Sequence, residues 1–339
     1  MMTQKANYSI TNLGVLPGFD ESRGVALNDN RQVVGTLHSG DIDFKPHGFL
    51  WQEGRMSDSI NVIPSDINDK GQIAGPSRKN FLELIAHAGK PRISPRHGAF
   101  HWAHATNEAG QIVGYSQFTN RNVPSKSKRR AFILEGDERR FLPIPDDYDD
   151  GEARGINNQI MVIGNVWQRD MGDKHAVVWQ NDAVTLLGEP YDFSTTEAEA
   201  VNDSGQILIR AVRSNTVEIL KQVAGNKNLD EWAENVSKIP KSAWESKQQS
   251  YLWYRGQWQP IDGLALALNN QGQVVGWNGG LSPHAFLWQN DEQVNLNQCL
   301  PANSGWYLMR ATDINNQGQI VGYGKHHDKT RAFLLSPVT

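Results

Sequence analysis

With a single cysteine, Cys299, this 339-residue chain can form no intrachain disulfide, so packing and hydrogen bonding alone must hold it. It also lacks a dominant charge: 33 basic and 37 acidic side chains leave −4, which removes the global electrostatic case for nucleic acid or an anionic membrane as partner. No stretch approaches the roughly 18 apolar residues of a membrane span, and residues 1–9 hold no apolar core of signal-peptide length. A soluble chain is expected, cytoplasmic by default; an exported or leader-trimmed form would read the same. Nucleophile elbow, phosphate loop and zinc signature are absent too, which lowers the expectation of an enzyme.

What is present is a repeat. An apolar residue or threonine precedes Asn at positions 28, 68, 107, 157, 202, 269 and 315, followed in five cases by Gly-Gln three residues on. The asparagines stand 40, 39, 50, 45, 67 and 46 residues apart, the period of a four-stranded propeller blade. Small residues two and four positions before the Asn, such as Ala103 and Ala105 or Ala198 and Ala200, share one face of a strand (strand A) and permit close approach at a crowded inner position. Asn-x-x-Gly then predicts a type I turn closed by a left-handed Gly, leading into strand B. Arg31 and Ile160 occupy that Gly position in blades 1 and 4; a β-branched residue at positive φ is strained, so blade 4 is expected to turn differently. Blade 5 has Ile209 where strand B otherwise carries Gly.

Strand C is read in phrases such as Gly48-Phe49-Leu50-Trp51 and Ala285-Phe286-Leu287-Trp288, whose tryptophans are expected in the core. Blade 2 offers no such phrase; its strand C is sought in residues 81–86, and Ala99-Phe100 is assigned to the approach to strand A of blade 3. The chain ends after a strand C without a strand D, whereas residues 8–13 read as a D strand preceding any A; pairing the two removes two open edges. The expected fold is therefore all-β, one domain over residues 1–339: a seven-bladed β-propeller closed by its N- and C-terminal strands. Residues 215–249, with Leu229, Trp232, Val236 and Ile239 at helical spacing, are expected to form a helical insertion in blade 5, either docked or acting as a lid or partner arm.

The phrases Asn269-Asn270-Gln271-Gly272-Gln273-Val274-Val275-Gly276 and His284-Ala285-Phe286-Leu287-Trp288 resemble the bacterial HAF repeat, as does Ile10-Thr11-Asn12-Leu13-Gly14-Val15-Leu16-Pro17-Gly18. The resemblance covers essentially the whole chain. It implies a propeller-like, often extracellular protein and carries no catalytic residues with it.

Because the A–B turns are short and uniform while the B–C connections vary, a site is expected on the D–A/B–C face around the central channel. Residues three and five before the anchor Asn reach that mouth: Arg23, Trp102, His104, Glu152, Arg154, Glu197, Glu199 and Arg310. They fit an anion or sugar site, or an acid/base set built on Glu152, Glu197, Glu199 and His104, with Glu152 and Glu199 as a glycosidase pair; they fit equally well ion pairs lining a wet channel. Tyr115, Trp277 and Tyr323, each following strand B's Gly, are candidates for sugar stacking or for packing beneath a loop.

No metal or cofactor is expected, since His326-His327-Asp328 has no second ligand cluster. Asp66 with Asp69 is read as a capped turn, and Asp146, Asp147, Asp149 and Asp150 and the basic run Lys126 to Arg130 as solvated loops. The expected function is a monomeric binding module for a protein or glycan partner; the rival is a glycan hydrolase or lyase, and a purely structural ring is a third reading.

Overall fold

A computed structural model describes residues 8–40, 46–58, 60, 62–76, 85–87, 90–92, 99–118, 127–169, 172–190, 193–213, 247–280 and 282–338. Its strands form seven four-stranded antiparallel sheets, in six of which the strands follow chain order A-B-C-D. The last sheet takes its D strand from the other end of the chain: Tyr8–Gly14 pairs with Lys329–Pro337, Ile10 opposite Leu335. The A strands are Glu21–Leu27, Asp66–Ile67, Ala99–Thr106, Asp150–Ile156, Thr195–Val201, Leu264–Leu268 and Trp306–Ile314. The architecture is an all-β propeller.

The expectation of a seven-bladed ring with a helical insertion is corrected on two counts. Six sheets are full blades, but the second is reduced to strands of two or three residues, Asp66–Ile67, Gln72–Ala74, Ile85–His87 and Lys90–Arg92. Pro64 and Pro76 flank its first two strands, and proline brings no N–H to a ladder, which cuts the regular pairing short. Secondly, the described residues contain no α-helix, only a 3-10 turn at Leu296–Cys299. The stretch proposed as helical lies mostly outside the described residues, and its end, from residue 247, already belongs to strand C of blade 5, Lys247–Tyr254. Blade 2's strand C, sought in residues 81–86, is Ile85–His87 in the structure, and residues 81–84 lie outside the described residues. Ala99–Thr106 is strand A of blade 3.

The core lies between blades. Phe49, Phe132, Phe286 and Phe333 of the C strands are fully buried, as nearly are Trp51, Trp179 and Trp288, whereas Trp253 is only partly covered. Blades 6 and 7, for example, share a cluster holding Val275, Leu287, Leu308 and Phe333.

At the axis the repeat shows its purpose. Asn28 donates from Nδ2 to the backbone carbonyl of Asn68, Asn68 to Asn107, and so on until Asn315 closes onto Asn28, each link 2.9 to 3.2 Å. The same Nδ2 group donates to the Gln four residues on, in every blade but the fourth, and Oδ1 accepts the backbone N–H at that position. This is why Gln follows Gly in the repeated phrase. A second closed belt runs beside it, in which the N–H of each next residue donates to the side chain of its counterpart one blade on, from Asp29 to Asp69 round to Asn316 and back to Asp29.

The belts also explain blade 4. It keeps the common turn, with Ile160 at φ 60° and Ile160 N–H donating to the Asn157 carbonyl, contrary to the expected departure. Asn157 Oδ1 accepts from Gln159 and Met161 while Nδ2 reaches Asn202, so the belt imposes the turn on a residue that resists it.

Candidate functional site

In every full blade the A–B pairing shifts register three residues before the Asn, for instance between Ala103 and Ala105 and between Ala198 and Ala200. The extra residue of each bulge is re-aimed out of the ladder. In three consecutive blades it is His104, Arg154 and Glu199, and these meet around the axis: Arg154 Nη1 lies 3.5 Å from His104 Nδ1 and Nη2 donates to Glu199 at 3.0 Å. The Gly of strand B accommodates the bulge, because a Cβ on Gly276 would sit 2.0 Å from the Leu264 carbonyl oxygen, and one on Gly322 2.0 Å from that of Arg310. Blade 5 keeps the bulge with a buried Ile209 at this place.

From blade 3 to blade 5 the mouth carries an unbroken alternation of charge. Arg129 stands 3.5 Å from Glu152; Lys174 donates to Glu152 at 3.0 Å and lies 3.7 Å from Glu197. Arg210 bonds both Glu197, at 2.8 Å, and Glu199, at 3.1 Å, and Arg154 completes the series. Burial pushes the Glu152 carboxyl up, but Lys174 and Arg154 outweigh it and hold it below the usual range. Burial, with Arg154 adding, pushes His104 down to about 3, so its imidazole is neutral. Since a guanidinium only donates, Nδ1 accepts from Arg154 and the proton sits on Nε2, which is buried without a partner. The four residues proposed as an acid/base set thus join one network, but each is taken up by a base outside the set: Glu152 by Lys174, Glu197 by Arg210, and Glu199 and His104 by Arg154. Trp102 and Tyr115 face each other across the ladder of blade 3, rings 6.2 Å apart and parallel within 3°, and Arg129 covers Tyr115 at 4.8 Å.

The opposite arc is different. Arg310 of blade 7 lies 5.2 Å over the Trp277 ring of blade 6, and Arg23 of blade 1 lies 5.3 Å over the Tyr323 ring of blade 7. Arg23 also pairs with Glu21 at 3.0 Å. Arg310 has no hydrogen-bond or ion-pair partner among the described residues; its Nε and Trp277 Nε1 are buried and unpaired.

A second concavity, unforeseen in the sequence, opens at the A–B turn end inside the belts. It is a cavity of about 200 Å³ lined by the belt residues together with Asp66 and Asp313. Each of these two carboxylates accepts two backbone N–H groups, its own neighbour's and one from the next blade. Burial nevertheless pushes Asp66 up to about 7 and Asp313, aided by Asp66, up to about 8. The signal was legible: both stand two residues before the Asn, where the other five blades carry Ala or Gly. Asp66 therefore does more than cap a turn.

Two loop readings are corrected. Asp150 is buried and paired with Arg169 at 3.0 Å, because strand A of blade 4 begins there; Asp146, Asp147 and Asp149 are exposed. Lys128, Arg129 and Arg130 open strand C of blade 3 rather than a loop, while Lys126 lies outside the described residues. His326 stacks on Trp306 at 4.7 Å, and among the described residues no three His, Cys, Asp or Glu side chains could share a metal ion. No described helix is long and apolar enough to cross a membrane.

No protein-family model and no curated protein matches the sequence. Solved structures do. The β-propeller domain of the trilobed protease from Pyrococcus furiosus superposes with a TM-score of 0.57 at 15% identity, over 95% of this chain and 94% of that one. An acylaminoacyl peptidase from Pyrococcus horikoshii matches with a TM-score of 0.57 at 12% identity, over 94% of this chain and 52% of its own. A puromycin-hydrolyzing peptidase from Mycobacterium tuberculosis matches with 0.55 at 9%, over 99% and 55%. The chain spans about half the length of these last two, and the likeness shows a shared propeller fold.

Proposed function

We propose that this propeller is a binding module that takes a protein or glycan partner on its D–A/B–C face, around the channel mouth. The observation that carries the reading is the pairing of Glu152, Glu197 and Glu199 with Lys174, Arg210 and Arg154. General acid catalysis needs a carboxyl kept protonated near neutrality, and Glu152 is shifted the other way. Paired charges of this kind rigidify a rim, and a rigid rim with aromatic side chains is a recognition surface. The affiliation with the HAF repeat belongs to the same proposal, resting on the turn and strand C phrases.

The test is a glycan array and an affinity capture with wild type beside a Trp277→Ala, Tyr323→Ala double variant, with bound glycans followed by mass spectrometry. Binding lost in the double variant and no turnover is the expected result. Turnover that disappears in Glu199→Gln would replace the binding reading by a glycan hydrolase or lyase.

A further inference from the structure

The two halves of the mouth differ in how their charge is met. From blade 3 to blade 5 the cations of the charged series, Arg129, Lys174, Arg210 and Arg154, each have an acidic neighbour within 4 Å. From blade 6 to blade 1 the order is guanidinium over ring, twice, and of these two guanidiniums only Arg23 has a carboxylate within 4 Å, while Lys325 of blade 7 donates to Thr330. The Nη nitrogens of Arg310 make no hydrogen bond to a described residue and are not among the buried atoms, so they are open to solvent. Arg23 Nε, Arg310 Nε and Trp277 Nε1 are N–H donors without acceptors among the described residues. Along this arc Arg310 is the guanidinium with no acidic partner among the described residues.

We propose that this arc is a carboxylate subsite for an acidic sugar, with Arg310 as the anion holder; the inference rests on the binding-module reading and names its ligand class. The charge count decides the anion. One unmatched guanidinium neutralises one carboxylate, presented end-on to the two Nη groups, whereas a phosphate dianion would call on Arg23, which Glu21 already holds. Trp277 fixes the guanidinium plane from behind, so little side-chain freedom is lost when the anion arrives. The half-buried Leu264, paired across the ladder with Trp277, and the Tyr323 ring supply apolar surface for the C–H face of a pyranose.

The experiment is titration calorimetry of the full chain with trigalacturonate and with its neutral methyl ester. Wild type is compared with Arg310→Gln, Arg310→Lys and, as a remote control, Arg140→Gln, each checked by thermal melting. The acid should bind wild type and Arg140→Gln alike. Esterification and Arg310→Gln should each weaken binding about tenfold or more, and the two together no further, because they remove the same pair. Arg310→Lys should fall between, keeping the charge and losing the fork. Ester binding as tight as acid binding, or an Arg310→Gln variant that binds as wild type, overturns the subsite. So does an acidic peptide that binds through Arg310 where the uronate does not. If neutral glycans or a protein bind in a manner sensitive to Trp277→Ala, Tyr323→Ala but not to Arg310→Gln, the subsite fails and the binding face stands; indifference of every ligand to all mouth substitutions sinks both.

Discussion

Removing one link of the asparagine belt tests what holds the ring. Asn269 is 3% exposed, donates to the Asn315 carbonyl at 3.0 Å and to Gln273 Oε1 at 2.7 Å, and accepts the N–H groups of Gln271 and Gln273. Asn269→Ala deletes all four bonds and leaves buried partners that water reaches poorly. At about 1 kcal/mol net for each bond, the loss is about 3–4 kcal/mol. For a domain of this size that corresponds to a fall in melting temperature of roughly 4–6 °C. Asn270→Ala is the control: it breaks two bonds to Asp203, both at 2.9 Å, but on an exposed side chain whose partners water can serve, so it should cost below about 1 kcal/mol. Asn269→Asp sharpens the test, because it sets an acceptor against two acceptors. At neutral pH it should be worse than alanine, and it should recover as the carboxyl protonates. Urea denaturation followed by tryptophan fluorescence reads all three. An Asn269→Ala variant within about 1 kcal/mol of wild type, or no worse than Asn270→Ala, would refute the belt as a stabilising element.

Other consequences follow from the same geometry. Ile160→Gly should raise stability by about 1 kcal/mol, since it relieves a left-handed φ of 60° on a side chain 46% exposed; a lower melting temperature would mean that Ile160 contributes packing that outweighs the strain. Gly276→Ala should destabilise by about 2–3 kcal/mol or more, because its Cβ meets the Leu264 carbonyl at 2.0 Å, and an unchanged denaturation midpoint would show that the strand moves aside. Asp66 and Asp313 set a pH dependence. Their folded values of about 7 and about 8 lie above the ordinary 3.8, so the folded state binds protons that the unfolded chain has lost. The stability they contribute is full below about 4 and disappears as pH rises through 7 to 8, so the melting temperature should fall from pH 5 to pH 9. Asp313→Asn should flatten that slope, and a wild-type curve that stays level or climbs over this range contradicts the assignment.

Much of the architecture was legible because the turn and its ring partners are local or periodic. Asn-x-x-Gly-Gln encodes both the left-handed Gly and the Gln that Asn bonds, and the unpaired first strand fits the unfinished last blade. The shortening of blade 2 was written in Pro64 and Pro76 but hidden by an intact anchor phrase at Asn68. The bulge was not legible, since it exists only in the register between two strands, and it decides which side chains reach the axis. Nor could spacing say that Arg154 lies between His104 and Glu199, or that Arg310 finds an indole and no carboxylate; those facts depend on distances between blades. Asp66 and Asp313 stand 247 residues apart in the chain, and Asp66 raises the Asp313 carboxyl only because the ring is closed.

The asparagine belt has a sense of rotation. Every link donates from one blade to its successor, so the circle runs in one direction all the way round. It is also indifferent to covalent order. The link from Asn315 to Asn28 bridges residues 287 apart at 3.1 Å, and nothing distinguishes it from links between blades joined directly by the chain. Chain continuity is therefore not what the circle recognises, and a protein severed in an exposed connection, or permuted to begin at another blade, can close the same circle from its pieces.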